Sequence, residues 1–244
     1  MLNTMLDVLF DDLKLSDYGI CLTERPVIPV AVRDVKHYDG IDSRDGSLTE
    51  FGGFKDRLFK LDCNLLEDMP IKPLIRRFRG ALLSKRLPKL VLTDDPEFYY
   101  IVKDIKMGNV ENEYHLKGSF TIAVMLDPFD YSKNKVVKEK DPGNANVINV
   151  VNGGTYHALP IITVAGTGEI TVRTNNNYPI TLSDMNGKVV IDCEAKHYYD
   201  PERDSGRNVK LYTKKFPVLE PGANKLQASG NVTEFKVEFK ERWL

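Results

Sequence analysis

The sequence predicts a mainly β fold in two domains, with a single α-helix in the first. Three observations lead there. Apolar and β-branched residues alternate with polar ones in short runs along the whole chain, the period of a half-buried strand. Gly, Asn and Pro punctuate these runs every dozen residues or so, as closely spaced strands require. Only one stretch carries apolar residues at spacings of three and four. With 42% hydrophobic and 28% charged residues over 244 positions, the chain has the make-up of a globular protein large enough for real cores.

Taken in order, "VIPVAVRDV" (27–35) reads as the first β-rich strand, and "LFKLDCNLL" (58–66) as the next, with Leu61, Cys63 and Leu65 on one face. The helix is expected over about 73–87, from Leu74, Phe78, Ala81, Leu82 and Lys85, with Pro73 in its first turn and Pro88 ending it. "SFTIAVML" (119–126) alternates cleanly through Phe120, Ile122, Val124 and Leu126. The polar, turn-rich stretch 128–154 reads as a connector, which divides the chain into domains 1–140 and 141–244. In the second domain "LPIITV" (159–164), "EITVRT" (169–174) and "GKVVIDC" (187–193) read as strands, separated by turns at "AGTGE", "NNNYP" and the Asn-Gly of "MNGK". Short strands of this kind make a sandwich or jelly roll. At the end, Pro221-Gly222 and Ser229-Gly230 read as turns. In the closing strand Phe235, Val237, Phe239 and Trp243 face inward, and Glu234, Lys236, Glu238 and Lys240 face out.

The chemistry-bearing residues give no catalytic pattern, and the expected catalytic, cofactor and metal residues are none. Cys21, Cys63 and Cys193 are far apart and odd in number, which fits free thiols. His37, His115, His157 and His197 show no ligand spacing. No Gly-x-Ser-x-Gly elbow or phosphate loop occurs, and the glycines at 152–160 and 166–171 read as hairpin turns. The carboxylate pairs Asp11–Asp12, Asp94–Asp95 and Glu111/Glu113 fall near turns or strand ends. Net charge is −1, and each half is close to balance. The exception is the helix, where Lys72, Arg76, Arg77, Arg79, Lys85, Arg86 and Lys89 occur with no acid among them. That run is either a solvated outer face, the reading favoured here, or a contact for phosphate or an acidic protein surface. Its single aromatic, Phe78, belongs to the helix's apolar face, so base stacking is not indicated. Tyr198 and Tyr199, read as part of a polar loop over 197–208, offer either an ordinary surface loop or a sugar platform. The first residues lack the basic lead of a signal peptide, and no apolar run is long enough to span a membrane, so folding in a cytoplasm is expected.

The whole-chain pattern resembles the distal tail proteins of long-tailed, non-contractile bacteriophages. The likeness is carried by "RDVKHYDGIDSRDGSL" (33–48), "GGFKDRLFKLDC" (52–63), "KLVLTDDPEFYY" (89–100), "NGGTYHALPIITVAGTGEITV" (152–172) and "VVIDC" (189–193). Its most specific part is "FPVLEPGANKLQASG" (216–230), with the order F-P-x-L-x-P-G-x-N-x-L. The resemblance implies a structural protein of a phage or prophage, assembled in the host cytoplasm and placed at the virion tail tip. It implies an N-terminal domain that closes a homohexameric ring and a galectin-like C-terminal domain. The ring would join the tail-tube protein to the tail-associated hub protein around a DNA exit channel, without sequence-specific DNA binding. The second domain would hold baseplate or receptor-binding proteins. Phe51 and Phe54, flanking glycines near 39–53, are candidate residues of the ring contact, with ordinary core packing as the equal alternative. The competing function is a carbohydrate-binding module for the host cell wall. Against it, the His-Asn-Arg cluster and stacking Trp of galectin sugar sites are missing from 145–244.

Overall fold

The computed structural model describes residues 6–39, 45–66, 70–114, 117–140, 146–175, 179–201 and 209–244. The chain is mainly antiparallel β with one α-helix, and it divides into two compact units, Met1–Tyr131 with Leu244, and Ser132–Trp243.

In the first unit the elements run β1 (Val8–Phe10), β2 (Leu13–Lys14), β3 (Ile20–Leu22), β4 (Arg33–Tyr38), β5 (Leu48–Phe54), β6 (Arg57–Leu66), α1 (Ile71–Leu83), β7 (Lys89–Leu92), β8 (Phe98–Met107), β9 (Glu111–Tyr114) and β10 (Lys117–Glu139). β10 pairs along its first half with β6, from Lys117↔Leu66 to Leu126↔Arg57, and β6 pairs in turn with β3. On the other side the order is β10–β8–β7–β1–β2. The alternation seen at 58–66 and 119–126 sends Leu61, Cys63, Leu65, Ile122 and Val124 fully inside. They pack with Phe10, Phe59 and the helix residues Ile71, Phe78 and Leu82 in one core. At about 25 cal/mol per Å² of apolar surface, such side chains contribute roughly 1.5–3 kcal/mol each.

The helix begins two residues before the expected start, with Pro73 inside its first turn, and it ends at Leu83. Ser84 closes it, its hydroxyl donating to the Ala81 carbonyl at 2.9 Å. Leu87, just before Pro88, stands at φ +48°, a left-handed conformation uncommon for a leucine. Residues 27–32 are not a strand, contrary to expectation. Pro26 and Pro29 remove two ladder donors there, and Val27, Val30 and Val32 are 86%, 81% and 62% exposed. The strand begins at Arg33 instead.

The stretch read as a connector is half strand, since β10 continues to Glu139 and the unit boundary falls inside it. Its polar composition hides two buried rings, Phe129 and Tyr131.

The second unit adds β11 (Val147–Asn152), β12 (Ile161–Thr174), β13 (Ile180–Asp192), β14 (His197–Tyr199), β15 (Lys210–Tyr212) and β16 (Gly222–Trp243). Three of these are far longer than expected. "AGTGE", "MNGK" and Ser229-Gly230 are bends within continuous strands, not turns between short ones. Gly166 pairs with Gly187 and Thr167 with Asn186 across β12 and β13, and Thr167 pairs with Asn231 across β12 and β16. Gly168 (φ +79°), Asp184 (φ +58°) and Gly230 (φ +107°) lie at the register shifts, while Gly187 (φ +117°) sits in unbroken pairing with Gly166. In β16 the buried set is Asn224, Leu226 and Ala228 before the bend, and Phe235, Val237 and Phe239 after it. The extra residue thus exchanges even for odd positions, and both sets reach the same core. Most of "NNNYP" lies outside the described residues.

The closing strand carries its expected inward set to Phe239, then departs from it. Trp243 is only half-buried and Arg242 is inside. The Arg242 guanidinium donates twice to the His157 carbonyl, at 2.9 and 2.5 Å, and lies 5.5 Å from the Tyr156 ring centre. On the outer face Glu234 pairs with Lys188 at 2.7 Å, and Glu238 with Lys236 and Lys135 at 2.8 and 3.0 Å. At the start of β16, Asn224 donates to the Glu220 and Gly222 carbonyls at 2.7 and 2.9 Å, fixing the Pro-Gly turn.

Candidate functional site

β4 and β5 form a two-stranded sheet of their own, with Val35 opposite Phe51 and Arg33 opposite Phe54. The connecting residues 40–44, including Arg44's neighbour Ser43, lie outside the described residues. An isolated hairpin is marginal in water, so this one needs an anchor. Its own side chains supply part of it. Tyr38 donates to Glu50 at 2.6 Å, Lys55 pairs with Asp34 at 2.8 Å, and Arg33 donates to the Gly52 carbonyl at 3.2 Å. The Arg33 guanidinium lies over both Phe51 and Phe54, 5.2 and 5.7 Å from their centres. Gly52 is needed for closeness, since a Cβ there would stand 3.1 Å from that of Asp34.

The root of the arm is held by Arg57, whose side chain is 4% exposed. It donates to the carbonyls of Asp127 and Pro29 at 3.2 and 3.3 Å and to the Asp130 carboxylate at 2.7 Å, with Tyr100 at 5.3 Å. Burial, then the Asp130 charge, pushes the Tyr100 phenol up to about 12. Lys55 N also donates to the Val32 carbonyl, tying the extended segment to the hairpin base.

The two candidate aromatics separate here. Phe54 is half-buried and meets Phe129 edge-on at 6.2 Å, while Phe51 is 63% exposed. Val35, opposite Phe51, is exposed as well, and so are Val27, Val30 and Val32 in the segment that leads into β4. The valines were read as a strand in the sequence. Their two bracketing prolines were the signal that they are not.

The other candidates serve structure or stand alone. Asp11, at φ +56°, accepts from the Lys89 N–H at 2.9 Å, Asp12 pairs with Lys85, and Asp94 pairs with Arg25 at 2.7 Å. Glu111 begins β9. Cys63 and Cys193 are buried and their thiols pushed up to about 12 by burial, while Cys21 is half-buried. His37 and His197 are exposed on β4 and β14, His157 is half-buried, and His115 lies outside the described residues. Among the described residues no group of three or more His, Cys, Asp or Glu could hold a metal ion. No described helix is long and apolar enough to cross a membrane. Tyr198 and Tyr199 lie on β14 rather than on a loop; Tyr198 donates to the Val209 carbonyl at 3.0 Å and Tyr199 stacks on His197 at 5.4 Å. The glycines at 152–160 do not form a hairpin turn either. Asn152, buried at the end of β11, bonds Tyr156, Leu219 and Gly154 and folds the segment back upon itself.

Neither a family model nor a curated protein matches the sequence. Among solved structures, the chain superposes on the SPP1 Dit (gp 19.1) protein, a paradigm of the hub adsorption apparatus in phages that infect Gram-positive bacteria. The TM-score is 0.74 over 98% of this chain and 100% of that one, at 15% sequence identity. The fold is that of a Dit protein. At such identity the likeness lies in the path of the backbone, and the side chains of the arm are this chain's own.

Proposed function

We propose that the protein is a distal tail hub subunit of a long-tailed, non-contractile phage or prophage. Six copies close a ring that joins the tail tube to the tail-tip hub around the DNA channel, and the second unit is the attachment point for baseplate or receptor-binding proteins. The observation that supports this best is the match to SPP1 Dit over essentially the full length of both chains. The mechanism is assembly. A heterologous contact, repeated by rotation, closes when the angle between neighbours divides the circle.

The β4–β5 arm is the part of this chain most suited to that contact. Its exposed Val35 and Phe51, with the exposed valines of the segment before it, are costly to leave in water, and a neighbour's surface would cover them at about 25 cal/mol per Å². Phe51 is the residue to test, since Phe54 already packs on Phe129. Light scattering coupled to size exclusion, with negative-stain imaging, should show six-membered rings of the wild type, alone or with its tail partners. Phe51→Asp should keep the fold, as read by circular dichroism, and abolish the rings. Rings that form equally well with Phe51→Asp would remove the arm from the contact, and a chain that never forms rings would remove the hub reading.

A further inference from the structure

Most cations of α1 and its C-terminal flank have no partner among the described residues. Lys72, Arg76, Arg77, Arg79 and Arg86 are all exposed, and among the described residues none is held in an ion pair. Only Lys85 and Lys89, at the end of the run, are engaged, with Asp12 and the Tyr99 ring. Lys72, Arg76 and Arg79 follow one another at spacings of four and three along the helix. Like charges so placed repel, each pair costing roughly 0.2–0.5 kcal/mol of helix stability. Carboxylates of a partner surface would offset that repulsion.

The rest of the first unit has the opposite sign. Outside 72–89 it holds twice as many Asp and Glu as Lys and Arg. The crowding is visible at Asp95, whose carboxyl is held above the usual range by burial and by the charges of Asp130, Asp94 and Glu97. The unit therefore carries one cationic helix face on an otherwise acidic body. Its complement is another body of the same kind. A nucleic acid fits less well: the acidic remainder repels a polyanion, the sequence pI of about 6.4 is far from that of a nucleic-acid module, and the one ring within the helix's run of cations, Phe78, is fully buried and closed to a base.

We propose that the exposed cationic face of α1 docks on an acidic surface of a second copy of this chain, a head-to-tail contact selected by unlike charge. This rests on the ring reading and deepens it, adding an electrostatic contact to the apolar one of the arm. Complementary charge sets the register of neighbours and speeds their encounter, and it is weakened by salt.

Analytical ultracentrifugation of the full chain tests this at about 0.1 M and about 1 M NaCl, between which the screening length falls from about 10 Å to about 3 Å. Wild-type self-association should weaken about tenfold or more across that range. The variant R76E/R77E/R79E, checked for its fold by circular dichroism, should associate weakly at low salt and respond little to more. The wild-type series stands without the variant. Hexamers indifferent to salt and to the triple reversal would overturn the docking proposal and leave the ring reading intact. A salt-labile dimer or open chain that the reversal abolishes would support docking and sink the ring. No self-association at any concentration would overturn the docking proposal, and the ring reading would then stand or fall on rings formed with the tail partners. A short DNA duplex that binds the wild type at low salt and competes with self-association would assign the face to a polyanion and overturn the proposal.

Discussion

Arg57 holds a full charge almost out of water, and what surrounds it explains how. One carboxylate, two main-chain carbonyls and a ring face satisfy the guanidinium at once. A lysine, with its single point of charge, cannot reach all of them. Arg57→Ala should cost roughly 3–5 kcal/mol in urea unfolding, because Asp130 loses its counter-charge and the carbonyls of Pro29 and Asp127 lose their donor. Arg57→Lys should fall between that and the wild type. His157 gives a pH-dependent counterpart in the second unit. Burial first, then the Arg242 charge, holds its imidazole below the ordinary histidine value of about 6.5, and Glu220 opposes them in part. The folded state thus binds a proton less readily than the unfolded chain. Stability from this group is fully present above pH 6.5 and is lost as the pH falls through the lowered folded value. Thermal melts from pH 8 down to about pH 5 should show that decline, and His157→Gln should flatten it.

At the scale of elements, alternation told strands from loops, yet it did not tell a bend from a turn. Gly168, Gly187 and Gly230 adopt the positive φ that a hairpin turn also demands, so the local signal is the same for both. What separates them is pairing with distant strands, which a window of ten residues does not contain. The close packing at the bends makes a testable claim. A Cβ on Gly166 would collide with the Asn231 carbonyl, and one on Gly230 with the Glu169 carbonyl, the latter also at a strained φ. Gly166→Ala and Gly230→Ala should each lose roughly 1–3 kcal/mol by denaturant titration. Alanine at Gly168, where nothing lies within 4 Å, should lose less. The segment 27–32 misled in the other direction. Its β-branched residues carry strand propensity, but propensity gives way where prolines remove the donors.

For the whole molecule, the mainly β class, the helix and the order of motifs along the chain were legible, and the fold of SPP1 Dit agrees with them. The candidate contact was legible only as a pair of aromatics. Which of them faces solvent depends on Phe129, far along the chain on β10, and no spacing rule reaches that distance. The pair should accordingly behave differently. Phe54→Asp should lower the melting temperature by burying a carboxylate against Phe129, whereas Phe51→Asp should act on assembly alone. The burial of Arg242 in place of Trp243 was hidden for a similar reason, since its acceptor is the carbonyl of His157 on the far side of the second unit's sequence. The exchange of inward positions between Val232 and Phe235 has one more consequence. The bend acts as a reading frame for the strand that follows. One residue inserted between Ala228 and Phe235 would present Lys236 and Glu238 to the core in place of Val237 and Phe239, while two would restore the phase. Length variants at this corner should therefore survive in even steps only.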